Sequence, residues 1–180
     1  MNYIETEMKG LWILEPKVLG DDRGYFMETY KKEDFDSHIG KTDFIQDNES
    51  SSSFGVLRGL HVQSGDTAQA KLVRVTTGKV LDVAVDVRKN SPTFGQYKMV
   101  ELSSENKRQF FIPRGFAHGF IVLSEIAVFN YKVDNTYSPS TEITIDFHDP
   151  EINIPWPLEP SQLVLSEKDK KGKSLKEIQL

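Results

Sequence analysis

The sequence predicts a mainly β domain, a sandwich or barrel such as a jelly roll, with a few short helices. Three observations predict it. Short runs rich in Val, Ile, Leu, Phe and Tyr recur along the chain at near-regular spacing, with turn formers between them. Two of those runs alternate strictly, with the period of two that sends successive side chains to opposite faces of a sheet. Little of the chain carries a helical pattern.

In chain order, LWILEPKVL and GYFMETY read as the first strands. KKEDFDSHI reads as a short helix, and Ser50–Ser53 as a solvated loop between patterned segments. KLVRV, TTG and KVLDVAVDVR together read as a hairpin. In its second limb Leu81, Val83, Val85 and Val87 face one way, and Asp82, Ala84, Asp86 and Arg88 the other. SPTFG reads as a turn, followed by the strands YKMVEL, QFFIP, HGFIVL and IAVFNYKV. In TEITIDF, Ile143, Ile145 and Phe147 share a face. A second short helix is expected in LSEKDKKGKSLKEI.

At 180 residues, with no Pro/Gly/Ser-rich linker and no internal repeat, the chain is expected to form one domain over 1–180. No apolar run approaches a membrane span, and MNYIETEMKGLWILEP has acidic residues where a signal peptide would be basic. The absence of cysteine excludes disulfides, thiolate metal sites and a cysteine nucleophile, and fits the cytoplasmic protein we expect. A net charge of −5 argues against broad attraction to nucleic acid or anionic lipid, while leaving room for a local Arg/Lys cluster around an anionic ligand.

Against this apolar background, GVLRGLHVQSGDTAQAKLVRV is rich in polar groups: Arg58, His61, Gln63, Gln69 and Lys71. Strand periodicity puts His61 and Gln63 on one face, and Lys71 with Val73 and Val75. If Lys71 pointed outward, Leu72 and Arg74 would point inward, so either register places a cation near the interior and suggests a polar cavity. A second cluster, IPRGFAHGF, places His118 at the opening of a strand, after a turn fixed by Pro113 and Gly115.

These residues resemble the cupin pattern of Gly, five residues, His-x-His, a gap, Glu, six residues, Gly, and later Pro-x-Gly, two residues, His. Here Gly55 is followed after five residues by His61-Val62-Gln63, and Lys71 stands six residues before Gly78, where the pattern has Glu. Pro113, Gly115 and His118 fit the second element. Gln has replaced one histidine and Lys the glutamate. An ammonium has no lone pair to donate and repels a dication, so the resemblance implies a cupin double-stranded β-helix without its metal.

The whole chain resembles the dTDP-4-dehydrorhamnose 3,5-epimerase family through DDRGYFMET, QDNESSS, GVLRGLHVQ, QAKLVRV, SPTFG, PRGFAHGF, YKVDNTYSP and LSEKD, in that order. The resemblance implies inversion at C3 and C5 of a dTDP-linked 4-keto-6-deoxyhexose, with no cofactor, because the C4 ketone itself acidifies the adjacent C–H bonds. His61 would be the base and Asp169 the carboxylate that orients it. Lys71, with Arg58 nearby, would stabilise the enolate, and Tyr131 would return the proton. Arg23 and Arg58 would hold the diphosphate, and Lys168 matches a further binding position of the family. Glu28, Gln46 and Asn48 would contact thymidine, and Phe26 and Tyr137 would supply aromatic surface. His118 and Glu142 would line the site without a chemical step. The resemblance also implies a homodimer whose N-terminal strands cross to the partner.

Three rivals remain at this stage. They are a metal-dependent cupin enzyme, a sugar-binding cupin without catalysis, and a relative acting at C3 or C5 alone or as a 3,4-ketoisomerase.

Overall fold

A computed structural model describes residues 1–178. The strands are β1 (Asn2–Glu5), β2 (Trp12–Glu15), β3 (Val18–Asp21), β4 (Gly24–Met27), β5 (Gln46–Ser53), β6 (Leu57–Gln63), β7 (Lys71–Thr77), β8 (Lys79–Asp86), β9 (Tyr97–Ser103), β10 (Gln109–Ile112), β11 (Phe116–Val122), β12 (Ile126–Val133) and β13 (Glu142–Thr144). One helix, α1 (Lys32–His38), falls where KKEDFDSHI places it.

Two sheets face each other. One runs β1-β2-β10-β7-β12-β5 and the other β13-β6-β11-β8-β9. The β3–β4 hairpin stands apart as its own two-stranded sheet. Val73, Val75, Phe110, Ile112 and Phe129 from the first sheet meet Val80, Ala84, Val100, Leu102, Phe116 and Phe120 from the second, and fill the space between them. Phe35 of α1 packs with Leu72 and Phe111 on the outer face of the first sheet. Residues from Ile145 to Leu175 cover the outer face of the second. The jelly-roll expectation is met.

Three local expectations need correction. KLVRV and KVLDVAVDVR are both strands, β7 and β8, but they do not pair as a hairpin. Gly78 turns the chain out of one sheet and into the other, so β7 pairs with β10 and β12, and β8 with β11 and β9. Ser50–Ser53 is not a loop. It ends the edge strand β5, which pairs with β12 from Gln46↔Val133 to Ser53↔Ile126. Ladder bonds come from the backbone, so a partner strand overrides the weak β preference of serine. Finally, LSEKDKKGKSLKEI forms two short 3₁₀ turns, Asp169–Lys171 and Leu175–Glu177, instead of one helix. Between them Lys173 bridges in parallel to Ile145, and that pairing interrupts any helix.

The alternation in β8 also has an unexpected use. Val83, Val85 and Val87 lie under the C-terminal segment, while Val80 and Ala84 face the barrel interior. The polar face of the strand is therefore turned inward, and Asp82 and Asp86 are both fully buried.

Asp86 organises the SPTFG turn. It accepts hydrogen bonds from Arg88 at 2.6 and 2.9 Å and from Thr93 at 2.6 Å, and Ser91 also donates to it. Burial alone would raise its carboxyl, but these bonds hold it down at about 2. A depressed carboxylate contributes stability that is complete above its unfolded pKa and lost as pH falls through the folded value. Asp86→Asn is therefore expected to lose roughly 2 kcal/mol of unfolding free energy at pH 7, a difference that closes as pH falls towards 2. Urea titrations of both proteins across that range check it.

Candidate active site

A cavity of about 330 Å³ opens between the two sheets, lined by Ser50, Arg58, His61, Lys71, His118, Phe120, Phe129, Tyr131, Ser166, Lys168 and Asp169. The second sheet supplies Arg58 and His61 from β6 and His118 from β11; the first supplies Lys71 from β7 and Tyr131 from β12. His61 and Tyr131 thus project into one hollow from opposite walls. Lys71 is the inward residue of its strand, with Val73 and Val75 continuing that face into the core and Leu72 packing outside.

Residues three apart on a regular strand face opposite ways, yet Arg58 and His61 both reach the cavity. A bulge makes this work: His118 pairs with His61 and Phe120 with Arg58, so β6 uses one residue more than β11. Gly59 sits in that bulge at φ +129°, where a Cβ would stand 2.5 Å from Gly119 Cα. His61 is accordingly the fifth residue of β6, and His118 is the third of β11, deeper in that strand than the strand-opening position expected.

His61 Nε2 lies 2.7 Å from Asp169 Oδ1. A carboxylate only accepts, so Nε2 carries the proton and the lone pair of the neutral ring is on Nδ1. Ser166 Oγ donates to the other Asp169 oxygen at 2.6 Å, and the Gly59 N–H reaches Oδ1 at 3.4 Å. Burial alone would raise the Asp169 carboxyl, but the bonds from His61 and Ser166 bring it below its ordinary value. Among the described residues neither Lys71 Nζ nor the Tyr131 hydroxyl has a protein partner, and no buried side-chain nitrogen or oxygen is left unpaired. Both groups are therefore open to the cavity. Burial lowers Lys71 to about 8 and raises the Tyr131 phenol above its usual value.

Asp169 reaches the site on a strap formed by residues 164–178. Val164 bridges to Val56, Lys173 to Ile145, and the Leu175 N–H donates to the buried Asp149 at 2.8 Å. The tightest point is Gly172, where a Cβ would stand 2.5 Å from Asp146 N and 2.6 Å from its Cα. Gly172→Ala must lift the strap. It is expected to lower stability by about 1–3 kcal/mol and to depress turnover well beyond the unfolded fraction, which denaturation and activity assays on the same sample separate.

At the mouth, Glu142 accepts from Lys168 at 2.6 Å and from the Tyr137 hydroxyl at 2.7 Å. Burial alone would raise Glu142, but these two bonds lower it. Gln63, at the position of the missing histidine, is engaged elsewhere. It donates to the carbonyls of Thr67 and Thr136 at 2.6 and 3.1 Å and accepts from Ser138 N at 2.8 Å, clamping the loop that carries Tyr137. Among the described residues no group of three or more His, Cys, Asp or Glu is placed to hold an ion.

Gln46 and Asn48 lie on β5 on the face of Ser50, which lines the cavity, and Gln46 donates to Asn48 at 2.8 Å. Ser52, further along that face, accepts from Arg58 Nε at 3.1 Å. Arg23 and Phe26 are not brought to this cavity. They sit on the projecting β3–β4 hairpin, with Glu28 just beyond it, and Phe26 is 70% exposed. Sequence reasoning missed Ser166, whose spacing three residues before Asp169 resembles a cap, and also the Phe120–Phe129 pair, stacked with centroids 4.3 Å apart.

The model of the family described as dTDP-4-dehydrorhamnose 3,5-epimerase matches residues 5–177. A Salmonella typhimurium protein of that name is 57% identical over 171 residues, covering 94% of this chain and 92% of its own length. A Legionella pneumophila dTDP-6-deoxy-D-glucose-3,5-epimerase, solved with dTDP-4-keto-L-rhamnose, superposes with a TM-score of 0.95 at 51% identity, covering 99% of this chain and 94% of that one. An Elizabethkingia anophelis dTDP-4-dehydrorhamnose 3,5-epimerase gives 0.94 at 51%, covering 98% and 97%. With this fold, this cavity and relatives that match along nearly the whole chain, the protein belongs to the dTDP-4-dehydrorhamnose 3,5-epimerase family.

Proposed function

We propose that this chain inverts C3 and C5 of dTDP-4-dehydro-6-deoxy-D-glucose to give dTDP-4-dehydro-L-rhamnose, a step in dTDP-L-rhamnose formation, and that His61 and Tyr131 move the protons. The observation that carries this reading is the single cavity in which a carboxylate-paired imidazole faces a protonated phenol, with an unpaired ammonium in the same hollow. His61 Nδ1 removes the proton next to the C4 ketone, and Asp169 stabilises the imidazolium that forms. Lys71 and Arg58 balance the negative charge that gathers on the C4 oxygen. Tyr131 returns a proton from the opposite wall. Burial suits it to this task by keeping the phenol protonated at neutral pH. The chemistry needs no metal: Lys71 places an ammonium, which has no lone pair, where a cupin ion would need a ligand, and the Gln63 amide is committed to the loop that carries Tyr137.

Arg58 and Lys168 hold the diphosphate, Gln46 and Asn48 extend the binding face along β5, and Tyr137 and Glu142 border its entrance. The β3–β4 hairpin presents Val18, Leu19, Tyr25 and Phe26 to solvent, an apolar surface suited to burial against another chain. In a homodimer with exchanged N-terminal strands, Arg23, Phe26 and Glu28 would complete the partner's nucleotide site. No described helix is long and apolar enough to cross a membrane, and the substrate is a soluble sugar nucleotide, which fits work in the cytoplasm.

The test is to incubate the protein with dTDP-4-dehydro-6-deoxy-D-glucose in D₂O and read product stereochemistry by NMR. Inversion with deuterium at both C3 and C5 is expected. Deuterium and inversion at one carbon would make this a single-centre epimerase. Binding without exchange would leave it a sugar-binding cupin, and activity lost with a removable stoichiometric metal would favour a metal-dependent enzyme.

A further inference from the structure

Asp82 has no part in the mechanism above, yet it is a fully buried carboxylate on the inward face of β8. Its oxygens stand 2.9 and 3.0 Å from His118 Nε2, and no other donor among the described residues reaches them. A carboxylate accepts only, so the His118 proton is on Nε2. His118 Nδ1 has no protein partner, and since no buried nitrogen is left unpaired it must open to the cavity that His118 lines.

A buried carboxylate needs one compensating cation nearby. Two side chains compete for that role. Burial pushes His118 below its ordinary value and Lys71 down to about 8, while the charge of Asp82 opposes both shifts. Lys71, the stronger base of the two, is the cation that Asp82 favours, and burial favours the neutral ring of His118. Around Lys71, Glu142 of β13 also favours the charge and Lys168 of the strap opposes it, but these two neutralise each other at 2.6 Å. Arg58, His61, His118, Tyr131 and Asp169 complete the charged and titratable lining.

Resting on the functional reading above, we propose that Asp82 is a positioning residue of this site. It fixes His118 as a neutral imidazole whose Nδ1 lone pair accepts a hydroxyl of the sugar, and its charge keeps Lys71 cationic beside the C4 oxygen. One buried carboxylate thereby sets both an acceptor and a cation that the sugar meets.

Asp82→Asn tests it, because the amide oxygen still accepts from Nε2 while the charge is gone. ¹³C-lysine NMR of the substrate-free protein, with the signal assigned from Lys71→Met, is expected to show Lys71 titrating about one unit lower. The alkaline limb of turnover should move with it, so that activity at pH 8 relative to pH 6.5 falls about fourfold while KM changes little. An unmoved Lys71 titration, or a loss equal at every pH, overturns the proposal. Imidazole ¹⁵N shifts of the wild-type protein give a second arm that does not depend on the variant folding. A neutral His118 protonated on Nε2 between pH 6 and 8 is expected, and an imidazolium there overturns the proposal. The NMR readouts need no turnover, so a wild-type chain that fails to epimerise would refute the functional reading alone.

Discussion

His61→Asn is expected to lower turnover by about 1,000-fold and to abolish deuterium uptake at both C3 and C5. The argument rests on the ring's two nitrogens. Nε2 is committed to Asp169 at 2.7 Å, and Nδ1 is the lone pair left for the substrate. Asparagine can keep the contact to Asp169 but offers no basic nitrogen. The amide fits the site, so nucleotide affinity should stay within a few-fold of wild type, as calorimetry with dTDP would read. Persistent exchange at either carbon would mean that another group removes that proton, and the neutral His118 across the strand pair would be the first to examine. A single base also predicts that both exchanges fall together.

Tyr131→Phe is expected to separate the two halves of the reaction. Removing the phenol leaves His61, Asp169 and Lys71 in place, so the enolate still forms and the same base can return deuterium from the same side. Inverted product should fall by about 100-fold, the scale of one proton donor, while uptake of deuterium without inversion continues. Comparing NMR of recovered substrate with NMR of product distinguishes these outcomes. Normal turnover would place the acid elsewhere. The phenylalanine should fold without difficulty, because the Tyr131 hydroxyl makes no hydrogen bond to the described protein and its loss orphans no partner.

Much of the architecture was legible because strand periodicity is a local property. The strands around Val83, Phe110, Phe120 and Phe129 announce themselves by composition. What periodicity does not carry is which sheet a strand joins. Gly78 therefore read as a hairpin turn when it is a crossing between layers, and the serines of β5 read as a loop because their pairing is made by backbone alone. The strap misread as a helix for a related reason: its conformation is set by contacts with Asp146 and Asp149, some 26 residues away for the Leu175 bond.

For the site, His61 and Asp169 are 108 residues apart, and only resemblance connected them before the fold did. Arg58 and His61 reach one hollow through a bulge that no spacing rule announces. Asp82 was visible as a polar residue in an apolar alternation, but the alternation alone does not say which side is the interior. Arg23, Phe26 and Glu28, which the resemblance assigned to the site, remain outside the cavity of a single chain.

The strap has a consequence for what a shortened chain would do. The partner of the base is carried on a segment outside the barrel, pinned by Gly172 and Leu175 against its wall. A nascent or clipped chain ending before Ser166 could close its sheets and display His61, Lys71 and Tyr131, yet leave the imidazole without its counter-charge. Such fragments would be catalytically silent, so proton transfer depends on the strap being in place over the barrel.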